Sequence, residues 1–219
     1  DSRNPEEVDV PEDVLVVSSD ELDAGLRAWI HEEAGGRQWR ISARSFFQNR
    51  PAGVDALVDV VGTMVSELSS DSGFDGGTAG PMVDAYAGVG IFAGSVGQGR
   101  PITVVERGKD SLADARVNLR DQIHTGEVRI VPSSVEKWRA TPASVVVADP
   151  ARSGLDRDGV KTLMKCDPDL FVLVSCNHSA FARDAHLLTS AGMHLEQLVV
   201  VDLFPGTSHV ETVGAFIPS

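Results

Sequence analysis

Thiols are scarce in this chain: of 219 residues only Cys166 and Cys176 are cysteines, and their spacing forms no zinc pattern. No signal peptide is recognisable, and no apolar run approaches the length of about 18 residues that marks a membrane span. These absences exclude a disulfide scaffold and a membrane-spanning protein, and they lead us to expect a reducing compartment, the cytoplasm. Basic charge is also short, with 19 Lys and Arg against 32 Asp and Glu and a formal net charge of −13. A nucleic-acid binder normally neutralises phosphates with Lys and Arg, so the usual footprint is missing. A length of 219 residues with 42% hydrophobic content is enough for one sizeable domain with a small appendage. The chain opens at Asp1 without methionine, so part of a longer protein is expected.

Residues 1 to 12 are acidic and contain proline, the composition of a lead-in or linker. Short apolar patterns at 13 to 19 and 37 to 43 read as edge or hairpin strands, with a weak helix over 21 to 33 between them. Residues 1–46 are therefore taken as a partial accessory β-containing segment and 47–219 as the main domain. An apolar stripe from Val54 to Leu68 marks a helix entered through Pro51, followed by a Gly/Ser/Asp loop over 69 to 80. From there strands and helices alternate. Strands are expected at 82–85, 102–106, 128–131, 144–149 and 170–176, and helices at 91–96, 110–122, 135–138, 159–165 and 180–190. Two final extended segments, 195–204 and 209–217, have no helix between them and should pair antiparallel. The fold class is α/β: a doubly wound, Rossmann-like sheet ending in an antiparallel hairpin.

Two stretches carry chemistry. The apolar run Leu170 to Val174 leads through Ser175 into Cys176, which puts a thiol at the rim where open α/β sheets bind ligands. A core cysteine is the plain alternative, since free thiols are often buried and inert. The second stretch, VDAYAGVGIF, joins the first strand of the sheet to its helix through Gly88 and Gly90, and Glu106 follows Gly90 by sixteen residues at the end of the next strand. Glycines let backbone approach a ligand, and a carboxylate at that strand end accepts ribose hydroxyls. A nicotinamide dinucleotide would use the same layout, although the third fingerprint glycine is replaced by Ala93, with Gly94 one place late. Asp84 and Tyr86 favour a cationic ligand such as S-adenosylmethionine over a pyrophosphate. Asp84 is equally explained as the carboxylate that organises the glycine turn.

With these pieces in place, the chain from Ser45 to Phe216 resembles the RNA uracil-5-methyltransferase family. The motifs that carry the resemblance are SFFQ (Ser45 to Gln48), DAYAGVGIF, Glu106, DPARSGL (Asp149 to Leu155), VSCN (Val174 to Asn177) and DLFPGTSHVETV (Asp202 to Val213). Ile91, Ala151 and His178 depart from residues the family usually carries at those places.

The resemblance implies an S-adenosylmethionine-dependent enzyme acting on a uridine in tRNA or rRNA. Carbon 5 of uracil is a poor nucleophile, and a thiolate adding at carbon 6 activates it. Cys176 is the expected nucleophile, and Glu211 the base that removes the carbon-5 proton before the cysteine leaves. Asp149 is expected to read the ring N–H of the base and to border the cofactor, its alternative being a helix N-cap in the DPAR turn. Gln48, Tyr86, Gly88 and Glu106 are expected to bind S-adenosylmethionine. His209, on the same strand face as Glu211, is read as a positioning or packed residue. Arg152 is read as a partner of Asp149 or of a phosphate, and His178, Arg183 and His186 as solvated. The target nucleotide must be flipped out of its stack to be reached. The accessory RNA-binding barrel and the iron–sulfur cysteines of some family members have no counterpart here; no metal is expected, and a monomer is. A missing portion of the protein is expected to supply most of the RNA affinity. Two rivals remain at this stage: a methyltransferase of small molecules or proteins, which would not need Cys176 and Glu211 together, and a non-catalytic RNA-binding module.

Overall fold

The structure is a computed structural model that describes residues 14, 16–48, 50–69, 79–97, 99–203, 205–207 and 210–219. Its elements in chain order are α1 (Ser19–Asp23), β1 (Trp29–Ala34), β2 (Arg37–Ser42), α2 (Pro51–Leu68), β3 (Met82–Ala85), α3 (Ile91–Ser95), β4 (Ile102–Glu106), α4 (Lys109–Asn118), α5 (Arg120–His124), β5 (Val128–Pro132), β6 (Val145–Ala148), α6 (Asp156–Leu163), β7 (Leu170–Ser175), α7 (His178–Ser190), β8 (Met193–Val201) and β9 (Glu211–Pro218). Short 3-10 turns follow β5 and α6. No helix among the described residues is long and apolar enough to cross a membrane.

Seven strands form one sheet in the order β5-β4-β3-β6-β7-β9-β8, parallel from β5 to β7. β9 runs antiparallel between β7 and β8, so the terminal hairpin is present as expected. Alternation along β7 explains the layering. Leu170, Val172 and Val174 pack with Leu57, Val61 and Met64 of α2, whereas Phe171 and Leu173 pack with Val160 and Leu163 of α6 and Phe181 and Leu188 of α7. Both faces of the strand are buried, which is why its sequence is a continuous apolar run rather than an alternating one. Each fully buried Leu, Val or Phe contributes about 1.5–3 kcal/mol, and the five apolar residues of β7 are all inaccessible. The functional edge therefore hangs from strands buried on both faces. Strand order reverses between β3 and β6, and the crevice at such a switch point is the binding position of doubly wound sheets.

The N-terminal region differs from expectation. Only five residues near its start are helical, and the segment read as weakly helical contains β1, which pairs with β2 in a separate two-stranded sheet. Residues 14 and 16–18 form no strand. β1 hides from pattern reading because it is mostly solvent-facing and carries His31, Glu32 and Glu33. The expected boundary at residue 46 falls between β2 and α2. On its N-terminal side the hairpin is bound tightly to the sheet domain: buried Asp114 of α4 accepts from the Ser42 N–H (2.7 Å), Ser42 Oγ (2.8 Å) and Ser45 Oγ (2.6 Å). Asn118 bonds the Arg40 N–H and C=O and the carbonyl of Val89. Trp39 is fully buried in a cluster with Val54 of α2. Gly94 explains the displaced fingerprint glycine, because a Cβ there would stand 2.5 Å from Arg37 Nη1 and 2.7 Å from Trp39 Cη2. It admits the hairpin.

The remaining differences are local. The expected helix over 110–122 breaks at Leu119, whose fully buried side chain belongs to the core. The lead-in over 1–12, most of the 69–80 loop, Phe204 and His209 lie outside the described residues.

Candidate functional site

Strand ends converge on one cavity of about 560 Å³, within the range of small-molecule sites. Gln48, Tyr86, Gly88, Glu106, Asp149, Cys176 and Glu211 all line it, so every residue singled out for binding or catalysis is brought to the same place.

On the β3–β4 side, the turn after β3 places Tyr86 (φ 59) and Gly88 (φ 55) in the left-handed region. A Cβ added at Gly88 would meet nothing within 4 Å, so this glycine answers to backbone conformation and leaves open space in front of it. Glu106 fastens the loop: Oε2 accepts from the Gly88 N–H at 2.9 Å, and Oε1 from the Arg107 N–H at 2.7 Å and from the Gly108 N–H. A carboxylate has about four acceptor sites, so roughly one remains unfilled on a residue that lines the cavity. Tyr86 donates its hydroxyl to Glu136 at 2.9 Å. Burial and the neighbouring Glu136 push the phenol upward, while hydrogen bonds from its own backbone N–H first, then from Tyr86 and Ser134, hold the Glu136 carboxyl below its usual range against its burial. Asp84 is fully buried and does not line the cavity; it accepts from the Ala93 N–H at 2.8 Å and organises the glycine turn. Burial raises it to about 7.

On the β6–β7–β9 side, Asp149 and Cys176 each lie one residue beyond their strand. Ser175 pairs with Thr212, and one step further along that antiparallel register brings Cys176 opposite Glu211. The thiol is partly buried, and Glu211 is only 2% exposed with Oε2 unpartnered. Burial pushes Glu211 up to about 7, against the opposing pull of Arg152. Asp149 is raised well above the ordinary carboxylate range by desolvation, then by Glu211 and Asp84. Cys176 is raised for the same reasons, desolvation first and then Glu211 and Asp149, and Arg152 is the charged group that favours the thiolate. Three acidic groups thus share a site with one cation.

The backbone around the thiol is fixed by its neighbours. Asn177 caps α7, accepting from the N–H groups of Ser179 (2.9 Å) and Ala180 (3.0 Å), and Ser175 Oγ donates to the Asn177 carbonyl. The N-cap of α6 is Leu155, not Asp149, and it has no side-chain cap; Asp184 on α7 instead accepts from the Leu155 N–H at 2.7 Å. Arg183, expected to be solvated, bonds Asp184 and the Ser153 carbonyl and so holds the DPARSGL loop. His178 and His186 are exposed and do not line the cavity. Residue reading passed over Phe46, Phe47 and Arg107, which also line the cavity, and it left the role of Arg152 open. Phe46 and Phe47 stand inside the quoted SFFQ stretch, so a signal for them was present.

A family model for tRNA (Uracil-5-)-methyltransferases matches residues 135–218. An RNA methyltransferase of Streptomyces avermitilis with no assigned specificity is 31% identical over 97% of this chain and 49% of its own length. A similar protein of Enterococcus faecalis is 34% identical over 80% of this chain and 38% of its own. The chain thus spans about half the length of these relatives or less. Among solved structures, a Pyrococcus abyssi tRNA (uracil-54, C5)-methyltransferase in complex with S-adenosyl-L-homocysteine superposes with a TM-score of 0.71 and 27% identity, covering 86% of this chain and 44% of the other. A Methanocaldococcus-type neighbour, M. jannaschii TYW2 in complex with AdoMet, has a TM-score of 0.60 at 12% identity over 89% of both chains, a likeness of fold.

Proposed function

The chain belongs to the RNA uracil-5-methyltransferase family, and from that premise we propose that it methylates carbon 5 of a uridine in tRNA or rRNA through a covalent cysteine adduct. The observation that carries this reading is the position of Cys176 opposite buried Glu211, whose Oε2 has no hydrogen-bond partner among the described residues, on the cavity that the glycine turn also borders. A methyltransferase of intrinsically reactive atoms has no use for that pair.

The cavity fits S-adenosylmethionine on chemical grounds. Open space lies before Gly88, Glu106 keeps about one acceptor site for a ribose hydroxyl, and Tyr86 and Gln48 stand on the same wall. When bound, the cofactor supplies an electrophilic methyl group.

The protein's own residues do the rest. Cys176 Sγ, as thiolate, adds to carbon 6 of the ring, and the displaced π electrons make carbon 5 nucleophilic. Arg152 favours the thiolate electrostatically. Asp149 holds the base: its raised proton affinity lets a neutral carboxyl present a donor beside an acceptor, the complement of a uracil carbonyl beside its ring N–H. Once carbon 5 carries the methyl group, Glu211 removes the remaining proton from it, and the electron pair of that C–H bond expels Cys176 from carbon 6 as thiolate. A carboxyl pushed to about 7 is matched to proton transfer near neutral pH.

The test is to supply methyl-labelled S-adenosylmethionine with tRNA or rRNA and analyse the nucleosides. Label in 5-methyluridine, absent with Cys176→Ala, is expected. Label in another nucleoside, or transfer that survives Cys176→Ala, overturns the reading.

A further inference from the structure

Beside the main cavity lies a smaller groove of about 180 Å³ between the hairpin region and the start of α4. Its charged lining is Arg27, Arg40, Arg44 and Lys109 against a single acid, Asp110. Four cations in one depression are unexpected in a chain with 19 Lys and Arg and a net charge of −13. Two of the four have partners. Arg40 lies 3.2 Å from Asp114 and stacks over Trp29 at 4.5 Å, and Arg44 pairs with the exposed Asp23. Arg27 and Lys109 are exposed and form no ion pair among the described residues.

The groove and the cavity share both of their walls. Ser42 to Arg44 line the groove and Phe46 to Gln48 the cavity; Lys109 lines the groove and Arg107 the cavity. In each wall a single residue, Ser45 or Gly108, lies between them, so the flanking Cα atoms are at most about 7 Å apart. A polyanion with one unit seated in the cavity can therefore reach this groove with its neighbouring phosphates. A solvated cluster of like charges gains nothing from being gathered, whereas a phosphate chain compensates it and releases counterions.

We propose that this groove seats phosphate groups of the RNA strand flanking the nucleotide held in the cavity, an inference that rests on the function proposed above. Arg27 and Lys109 make the contacts, Arg44 can exchange its exposed partner for a phosphate, and Arg40 is held in place by Trp29 and Asp114. The domain thereby grips RNA through a local patch although its overall charge is acidic.

The experiment is the double variant Arg27→Gln with Lys109→Gln in the full-length protein, titrated with a single-stranded RNA oligonucleotide over a range of salt. Each lost phosphate contact on a single strand lowers the slope of log affinity against log salt by about 0.7. The expected result is an affinity reduced about tenfold at low salt, a slope shallower by about 1.4, and unchanged S-adenosylmethionine affinity, which certifies the fold. The pair Arg120→Gln with Arg129→Gln, on α5 and near the start of β5 and lining neither the groove nor the cavity, should leave both quantities alone. An unchanged slope, absence of RNA binding in the parent protein, or an equal loss in the control pair overturns the proposal. Binding is read without methyl transfer, so the two readings fail separately. A reduced slope without 5-methyluridine formation keeps the groove and sinks the reaction, and 5-methyluridine formation with an unaltered slope does the reverse.

Discussion

The two halves of the sheet's carboxyl edge finish their carboxylates in opposite ways. After β4, Glu106 accepts three backbone N–H groups; after β6 and at the start of β9, Asp149 makes no side-chain hydrogen bond among the described residues and Glu211 keeps a buried oxygen without a partner. A filled carboxylate is a scaffold, holding a loop in one conformation whether or not a ligand is present. An unfilled one costs folding free energy and raises its own proton affinity, and both penalties are relieved by a substrate that brings the missing donor or takes the proton. The site thus keeps its rigidity on one side and its chemical potential on the other. Such a division agrees with the finding that perturbed carboxyl groups collect where chemistry is done.

The largest effect expected from breaking this contrast is on the unfilled side. Glu211→Gln keeps shape and removes the base, so Cys176 addition should proceed while its elimination stalls, with turnover falling about 10²–10⁴-fold. Protein should then remain attached to RNA on denaturing gels. If the variant turns over with no trapped complex, Glu211 is not the eliminating base, and the contrast loses its catalytic meaning.

The same substitution sharpens the comparison through stability. Glu211 ionises near 4.5 when unfolded and at about 7 in the folded chain, so between those values the native state holds a proton that the unfolded state has released. Native stability from this group is therefore full below pH 4.5 and declines as pH rises toward 7. Glu211→Gln carries no such penalty. Relative to the parent it should gain roughly 3 kcal/mol by pH 8, and that gain should vanish as pH falls below the ordinary carboxylate value. Thermal or denaturant unfolding at a series of pH values reads this directly. A gain independent of pH would mean that packing, not ionisation, distinguishes the two side chains.

Much of this edge was legible in the sequence, for reasons specific to each part. β7 could be read because a strand buried on both faces is a plain apolar run, and Cys176 could be placed because that run ends beside it. Glu211 and Asp149 could be named only through motifs, since nothing in a local window says that β6 and β9, far apart in sequence, finish on either side of β7. β1 escaped because its exposed face carries charge where a buried strand would alternate. Asp184 escaped as the acceptor that anchors the start of α6 because it reaches the Leu155 N–H from 29 positions away, and Gly94 because its purpose is the approach of Trp39 from another element. Periodicity reports local burial, and these are long-range contacts.

On the filled side the expected losses are smaller and fall on affinity. Glu106→Ala releases three backbone donors and removes the acceptor site left unfilled. S-adenosylmethionine affinity should fall by about 1–3 kcal/mol, read by calorimetry. The pH range over which Glu211 changes stability should stay where it is, because Glu106 is not among the groups that set it. A shift of that range in Glu106→Ala would show the halves to be electrically joined.

Tyr86 stands where the halves meet, just after β3 at the switch point, and it offers the finest test. Its hydroxyl donates to Glu136, a carboxyl that does not line the cavity. Tyr86→Phe deletes one hydrogen bond at a partly exposed place, where water can take over the acceptor, so its cost should be about 0.5–1.5 kcal/mol. The ring remains on the cavity wall, and the left-handed backbone at φ 59 is held by the turn rather than by the hydroxyl. S-adenosylmethionine affinity should therefore weaken by a few fold, the fraction of enzyme trapped on RNA by Glu211→Gln should not change, and both are measured on the same double variant. A loss as complete as that of Cys176→Ala would place Tyr86 among the reacting groups, and the boundary between scaffold and chemistry would have to be drawn on the other side of β3.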